Sequence, residues 1–302
     1  MVKKEQVDAF TVVGAGYKSH EIRVKRPGLL RSLYGKPVFS IMILSVIVLG
    51  CLFSESFINH DPTQFYLAHL SEPPNGEFFF GTDSLGRDIY SIIWRGGRIS
   101  IFVGLFSACV ATLVGVTYGC VAGMASKVVD DGMMRAVEMM QSIPFLLTVL
   151  LIVSITGKQN IASISLVIGG ASWFGLARIV RGEVRQIRGS EYVLAARCMG
   201  ANFPHIMRKH LIPNFVSAIM FVVISSVSLS MSMESTLSFL GFGLPPDVLS
   251  WGGMLALADR ALLLNTWWVI VVPGLFLVVT LLCVTGVGNH FRRETNKRPS
   301  NL

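Results

Sequence analysis

The chain has 302 residues, 52% hydrophobic and 15% charged, with a mean hydropathy of +0.60; this leaves too little polar surface to cover a soluble domain and points to an integral membrane protein. Its net charge of +8 would suit nucleic acid, but a membrane protein that keeps its cationic loops on one side explains the same excess, so no nucleic-acid partner is expected. The cysteines stand singly at Cys51, Cys109, Cys120, Cys198 and Cys283 with no close His partner, which excludes a metal or disulfide framework and leaves small packing residues.

A helix rises about 1.5 Å per residue, so about 20 apolar residues are needed to cross the hydrocarbon core. Residues 1–37 are polar and punctuated by Pro27, Gly28, Gly35 and Pro37. They contain no short apolar run with a small-residue cleavage site, so they read as a retained cytoplasmic tail. A first span is predicted over 38–58. An outer loop, 59–98, follows; it holds Pro62, the Pro73-Pro74-Asn75-Gly76 turn and the run 81–88, enough turn formers to give it a structure of its own.

The remaining membrane domain is placed at 99–288, opening with a span over 99–124. There Gly115, Gly119 and Gly123 recur every four residues, leaving one helix face open to the backbone of another helix, unless they are simply glycines tolerated in lipid. A polar amphipathic start at 129–138 leads to a third span over 139–157, where Pro144 either kinks the span or marks its beginning. The fourth span is predicted over 160–177 and the fifth over 215–233. The sixth runs from Trp267-Trp268 to Gly288, before a tail at 289–302. The spacing of polar turns does not fit the alternating strands of a barrel, so the fold class is all-α with about six transmembrane helices. With six crossings, 21 of the 26 Lys and Arg residues share the side of the termini, and both termini are predicted to be cytoplasmic.

The cytoplasmic loop 178–214 is too patterned for a connector. Residues 191–199 are good helix formers, Gly200 supplies a stop, and 203–210 restart a helix before Pro213 introduces the fifth span. Ala195, Ala196 and Gly200 leave a shallow apolar face framed by Arg197, Arg208 and Lys209, suited to docking on another protein. Ala195-Ala196, three residues, Gly200, nine residues, then His210-Leu211-Ile212-Pro213 resembles the Glu-Ala-Ala loop of bacterial ATP-binding-cassette importer permeases. The family's glutamate falls on Leu194 and its isoleucine on His210; whether Glu191, one turn earlier, takes over the missing acid stays open.

The resemblance extends outward. The run Gly81-Thr82-Asp83-Ser84-Leu85-Gly86-Arg87-Asp88, and Leu237-Ser238-Phe239-Leu240-Gly241-Phe242-Gly243 with Trp251-Gly252, are similar to signatures of the second permease subunit of dipeptide, oligopeptide and nickel importers. The C-terminal segment departs from the family's Asp-rich ending. The resemblance implies a type I importer permease fold in a bacterial cell membrane. It also implies partners: a homologous permease half, two ATPase subunits that bind ATP and Mg, and an extracytoplasmic solute-binding protein, all working around a chain embedded in lipid. Peptides are the first expectation for the substrate, nickel or a metal chelate the second. No catalysis or cofactor is expected in this chain, since Gly157-Lys158-Gln159 lacks the upstream Gly and the hydroxyl of a phosphate-binding loop.

Glu234 closes the fifth span and either lines the pathway or sits at a solvated helix end. Asp83, Arg87 and Asp88 form either a docking surface or, the favoured reading, a self-contained turn with a local ion pair. Trp251, Trp267 and Trp268 are expected in an outer aromatic belt. His205 and His210 are five apart, which is not the spacing of two ligands on one helix face, so no metal is assigned to them.

Overall fold

The computed structural model of the protein describes residues 37–157 and 159–295; for Arg197, Phe203, His210, Pro213, Asn214, Ser217, Glu294 and Thr295 the backbone alone is described. The expected tail before Pro37, Lys158, and residues 296–302 of the C-terminal tail lie outside the described residues.

Among the described residues three helices are individually long and apolar enough to cross a membrane. They are α2 (Ile89–Met124), α9 (Ile212–Phe239) and α12 (Trp268–Thr295). Two bent pairs pass the same test together: α3 (Lys127–Gln141) with α4 (Phe145–Thr156), at 82°, and α5 (Ile161–Ser172) with α6 (Phe174–Ile187), at 45°. Counting each pair as one gives up to five spans. The first predicted crossing, 38–58, is a 15-residue helix, α1 (Val38–Leu52), about 22 Å long against a hydrocarbon core of about 30 Å. It ends where Arg98 Nε and Nη2 donate to the carbonyls of Cys51 and Leu52, at 2.6 and 2.8 Å, satisfying groups that a longer helix would have paired internally. The shorter helices are α7 (Glu191–Cys198), α8 (Phe203–Ile206), α10 (Trp251–Leu255) and α11 (Ala258–Leu263).

Helix boundaries differ from the hydropathy reading for local reasons. Helix α2 begins ten residues before the predicted span because Asp88 caps it, accepting from the N–H of Tyr90 at 3.2 Å and of Ser91 at 3.1 Å. Polar Arg95 and Arg98 had disguised that first stretch as loop. Pro144 marks the start of α4 rather than a kink within it, since a residue without N–H suits the first turn and not the interior. Helix α9 runs on to Phe239, so Glu234 lies inside it and not at its end.

Helix α2 is the axis on which the others pack. In membrane helices close backbone approach needs small residues, and α2 presents one at each contact. A Cβ on Gly115, Gly119 or Gly123 would fall 2.5–3.1 Å from atoms of α6, so the four-residue glycine stripe is an interhelical contact. On other faces Gly104 meets Met231 of α9, and Gly97 meets Cys51 of α1 and Trp251 of α10. Ser107 Oγ donates to the Ser165 carbonyl of α5 at 2.9 Å. Three apolar clusters stack along the bundle. One surrounds Trp251, Ile92, Ile93 and Trp268 at the outer-loop end; one joins Val149, Ile164, Ile168 and Leu237; one joins Val180, Val184, Val193, Ile206 and Phe215 at the opposite end.

Candidate coupling segment, outer loop and buried carboxylate

Segment 188–211 is built as a rigid step. Helix α7 begins with Glu191, an acid in the first turn where the helix dipole favours it. It ends at Gly200, whose φ of +83° reverses the chain while the Ala201 N–H returns to the Ala196 carbonyl at 3.0 Å. That six-to-one bond across a left-handed glycine satisfies one of the last carbonyls of the helix. Asn202 then starts α8, its Oδ1 accepting from the His205 N–H at 3.1 Å. Between α8 and α9 the chain makes one π turn, Met207–Leu211, with the Ile212 N–H reaching back five residues to the Met207 carbonyl. Pro213, which lacks the N–H for the next helical bond and crowds the carbonyl four residues earlier, accounts for the widened turn.

The underside of this step is fixed. Val193, Ile206 and Leu211 are buried and join Leu176, Val180 and Val184 of α6 and Phe215 and Ile219 of α9 in one cluster. Arg188 Nη1 donates to the carbonyls of Gly123 and Ala125, at 2.9 and 3.1 Å, tying the base of the step to the end of α2. A second tie was not foreseen from the sequence. Asp130 of α3, buried, accepts from Arg181 Nε and Nη2 of α6 at 2.6 and 2.7 Å, with Arg185 Nη1 3.2 Å from Oδ2. The two guanidinium groups offset the cost of burying the Asp130 carboxylate. An acid on an amphipathic helix and two Arg residues four apart were its only sequence signal.

The upper side of the step is open. A depression of about 450 Å³ is lined by Tyr192, Ala196, Met199, Gly200, His205 and Lys209, among others. Met199 is 82% exposed, and Leu194, at the family's glutamate position, is 48% exposed. Of the residues singled out in the sequence, Ala196 and Gly200 meet in this depression. Ala195 is exposed outside it, and the side chains of Arg197, His210 and Pro213 lie outside the described residues.

At the other end of the bundle the run 81–88 closes on itself. Asp83 Oδ1 accepts from the N–H of Leu85 and Arg87 at 2.8 and 2.9 Å, and its Oδ2 lies 2.8 Å from both Nε and Nη2 of Arg87. Thr82, Asp83 and Asp88 are buried. Thr82 Oγ1 donates to the His69 carbonyl at 2.6 Å and accepts from the Glu72 N–H at 2.8 Å. Gly86, at φ +75°, leaves no room for a side chain: a Cβ would stand 2.3 Å from the Tyr66 carbonyl oxygen. The geometry is that of a self-contained turn capping α2. It is also joined to α12, because Trp268 Nε1 donates to the Thr82 carbonyl at 3.1 Å. Trp268 and Trp251 are therefore buried structural donors, Trp251 Nε1 bonding the Ile93 carbonyl at 2.8 Å; of the three expected belt residues only Trp267 is exposed.

Glu234 has no solvent exposure. Its Oε1 accepts from Ser238 Oγ at 2.9 Å and from Ser250 Oγ at 3.0 Å, and Ser235 Oγ lies 3.5 Å from Oε2. Among the described residues it has no ion pair. Helix α10 lies directly over it because Gly252 has no side chain: a Cβ there would be 2.8 Å from Oε1. The solvated helix end is thus not what forms; hydroxyls take the place of water around a carboxylate that burial would otherwise penalise. Among the described residues no group of three His, Cys, Asp or Glu side chains could hold a metal ion.

Residues 115–297, from the glycine stripe through the step to the end of α12, match the model of the binding-protein-dependent transport system inner membrane component family. The chain belongs to this family. It is a multi-pass protein of the bacterial cell membrane and a transport component. It is similar to the dipeptide transport system permease protein DppC of Bacillus subtilis, 38% identical over 230 residues, 76% of this chain and 72% of the relative. The oligopeptide transport system permease protein OppC of the same organism is 34% identical over 252 residues, 83% of this chain and 82% of the relative. That of Escherichia coli is 36% identical over 259 residues, 84% of each.

Proposed function

We propose that this chain is one transmembrane half of an ATP-binding-cassette importer of di- and oligopeptides. It pairs with a homologous permease half, two ATPase subunits and an extracytoplasmic solute-binding protein. The observation that carries the reading is the step at 188–211, fixed beneath by Val193, Ile206 and Leu211, open above at Met199 and Gly200, and continuous with α9. A surface that is rigid on one side and vacant on the other can receive a push and pass it on. Closure of the ATPase dimer would displace α7 and α8 as a lever and tilt α9 and its neighbours between inward-open and outward-open states. ATP and Mg belong to the ATPase subunits in this scheme, and the end bearing the step, with both termini, is cytoplasmic.

The printed names of the relatives support peptides over nickel or a metal chelate as substrate. The self-bonded turn at Gly81, Thr82, Asp83, Gly86, Arg87 and Asp88 acts as a collar that fixes the outer end of α2 to α12. Substitution of Gly200 by Asp tests the lever. Asp tolerates a positive φ better than most residues, so the turn can form while a charged side chain enters the docking surface. Peptide uptake by the reconstituted complex should be abolished while the chain still inserts in the membrane; unchanged uptake refutes the docking role.

A further inference from the structure

A second cavity, of about 430 Å³, opens at the outer-loop end between that loop and segment 241–257. Its walls are apolar, with Leu85, Leu244, Pro245 and Met254 among them. Ser238 and Ser250, the two serines that donate to Glu234 Oε1, also line it. Two groups of opposite charge contribute as well, Arg87 and Asp247. Asp83 occupies Nε and Nη2 of Arg87, and Nη1 has no hydrogen bond among the described residues. Asp247 is exposed and has no ion pair among them. A cleft of a few hundred Å³ with apolar walls and a few placed polar groups is the usual form of a small-ligand site.

We propose that this cavity receives an apolar side chain of the arriving peptide, with the peptide's backbone and charged ends held between Arg87 and Asp247. The inference rests on the peptide reading above and adds a place of contact to it. Charge complementarity selects the occupant: a short peptide presents a carboxylate, an ammonium group and side chains within a few bonds of one another, which matches a cationic donor and a carboxylate beside an apolar recess. The buried Glu234 is a positioning residue here. Through Ser250 and the bare Cα of Gly252 it seats α10, and with it the wall formed by Met254.

The test uses the complete transporter with its binding protein in proteoliposomes, and two probes, trileucine and triglycine. Leu85 is 36% exposed, so Leu85→Trp can narrow the cavity and Leu85→Ala can widen it without disturbing the core. The readout is the ratio of uptake efficiency, kcat/KM, for trileucine over triglycine. We expect that ratio to fall about ten-fold in Leu85→Trp, the scale of selectivity that an apolar pocket gives, and to shift measurably in Leu85→Ala, with the ATPase subunits still co-purifying. An equal loss for both peptides would mean that the binding protein or the other permease half covers the cavity, and would overturn the proposal; so would an unchanged ratio in both variants. A wild-type complex that imports neither peptide would overturn the peptide reading itself, and this inference with it.

Discussion

Substituting Gly119 by Ala isolates the contact that holds α6 against α2. The added Cβ would stand 2.5 Å from the Ala177 carbonyl oxygen and 2.8 Å from Val180 Cβ. Ordinary contact begins near 3.4 Å, so the helices must part by several tenths of an ångström to about one ångström. Each atom pair across a packed contact contributes roughly 0.1–0.2 kcal/mol, and a gap of about 0.5–1 Å forfeits about a quarter to a half of that. Over a few tens of pairs the loss is about 1–3 kcal/mol, the range found for overpacked cores. Gly132→Ala is the control. A Cβ at Gly132 in α3 meets nothing within 4 Å, so only the better helix propensity of alanine acts there, a gain of up to about 1 kcal/mol. Thermal unfolding of the detergent-solubilised protein should therefore shift down for Gly119→Ala and stay level or rise for Gly132→Ala. A Gly119→Ala variant at least as stable as wild type would refute the argument that this stripe is held at backbone contact.

Asp130→Asn should destabilise the protein by about 1–3 kcal/mol at neutral pH, since it weakens charge-assisted bonds to Arg181. Thermal melts of the detergent-solubilised variant read the loss. Asp88→Ala removes the cap of α2 and should cost about 1 kcal/mol, read by the same melts. Trp268→Phe removes both the donor to the Thr82 carbonyl and part of a buried ring; limited proteolysis should then cut the outer loop sooner, and stability should fall by about 1–3 kcal/mol.

Membrane residence, the all-helical class and the helix, stop and restart of segment 191–210 were all legible in the sequence because they depend on local quantities. Apolar run length fixes what can enter lipid, and the glycine after 191–199 fixes where that helix must stop. The four-residue recurrence of Gly115, Gly119 and Gly123 marked a contact face, although not which helix would fill it. What the sequence could not settle depends on groups far apart in the chain. Glu234 read as a pathway or solvated residue because Ser250, one of the hydroxyls that satisfy it, and the helix that covers it arrive from 16 or more residues later. Asp130 and Arg181 are 51 residues apart, and Trp268 bonds a carbonyl 186 residues before it. Hydropathy counts a buried tryptophan and an interfacial one alike, and counts Arg95 and Arg98 as loop although they begin a helix. Local patterning thus determined that this chain lives in a membrane and where the helix 191–198 stops. Tertiary packing alone decided how a buried carboxylate is satisfied, which helices share the α2 axis and where the outer cavity forms, because each requires partners that only folding brings within hydrogen-bonding distance.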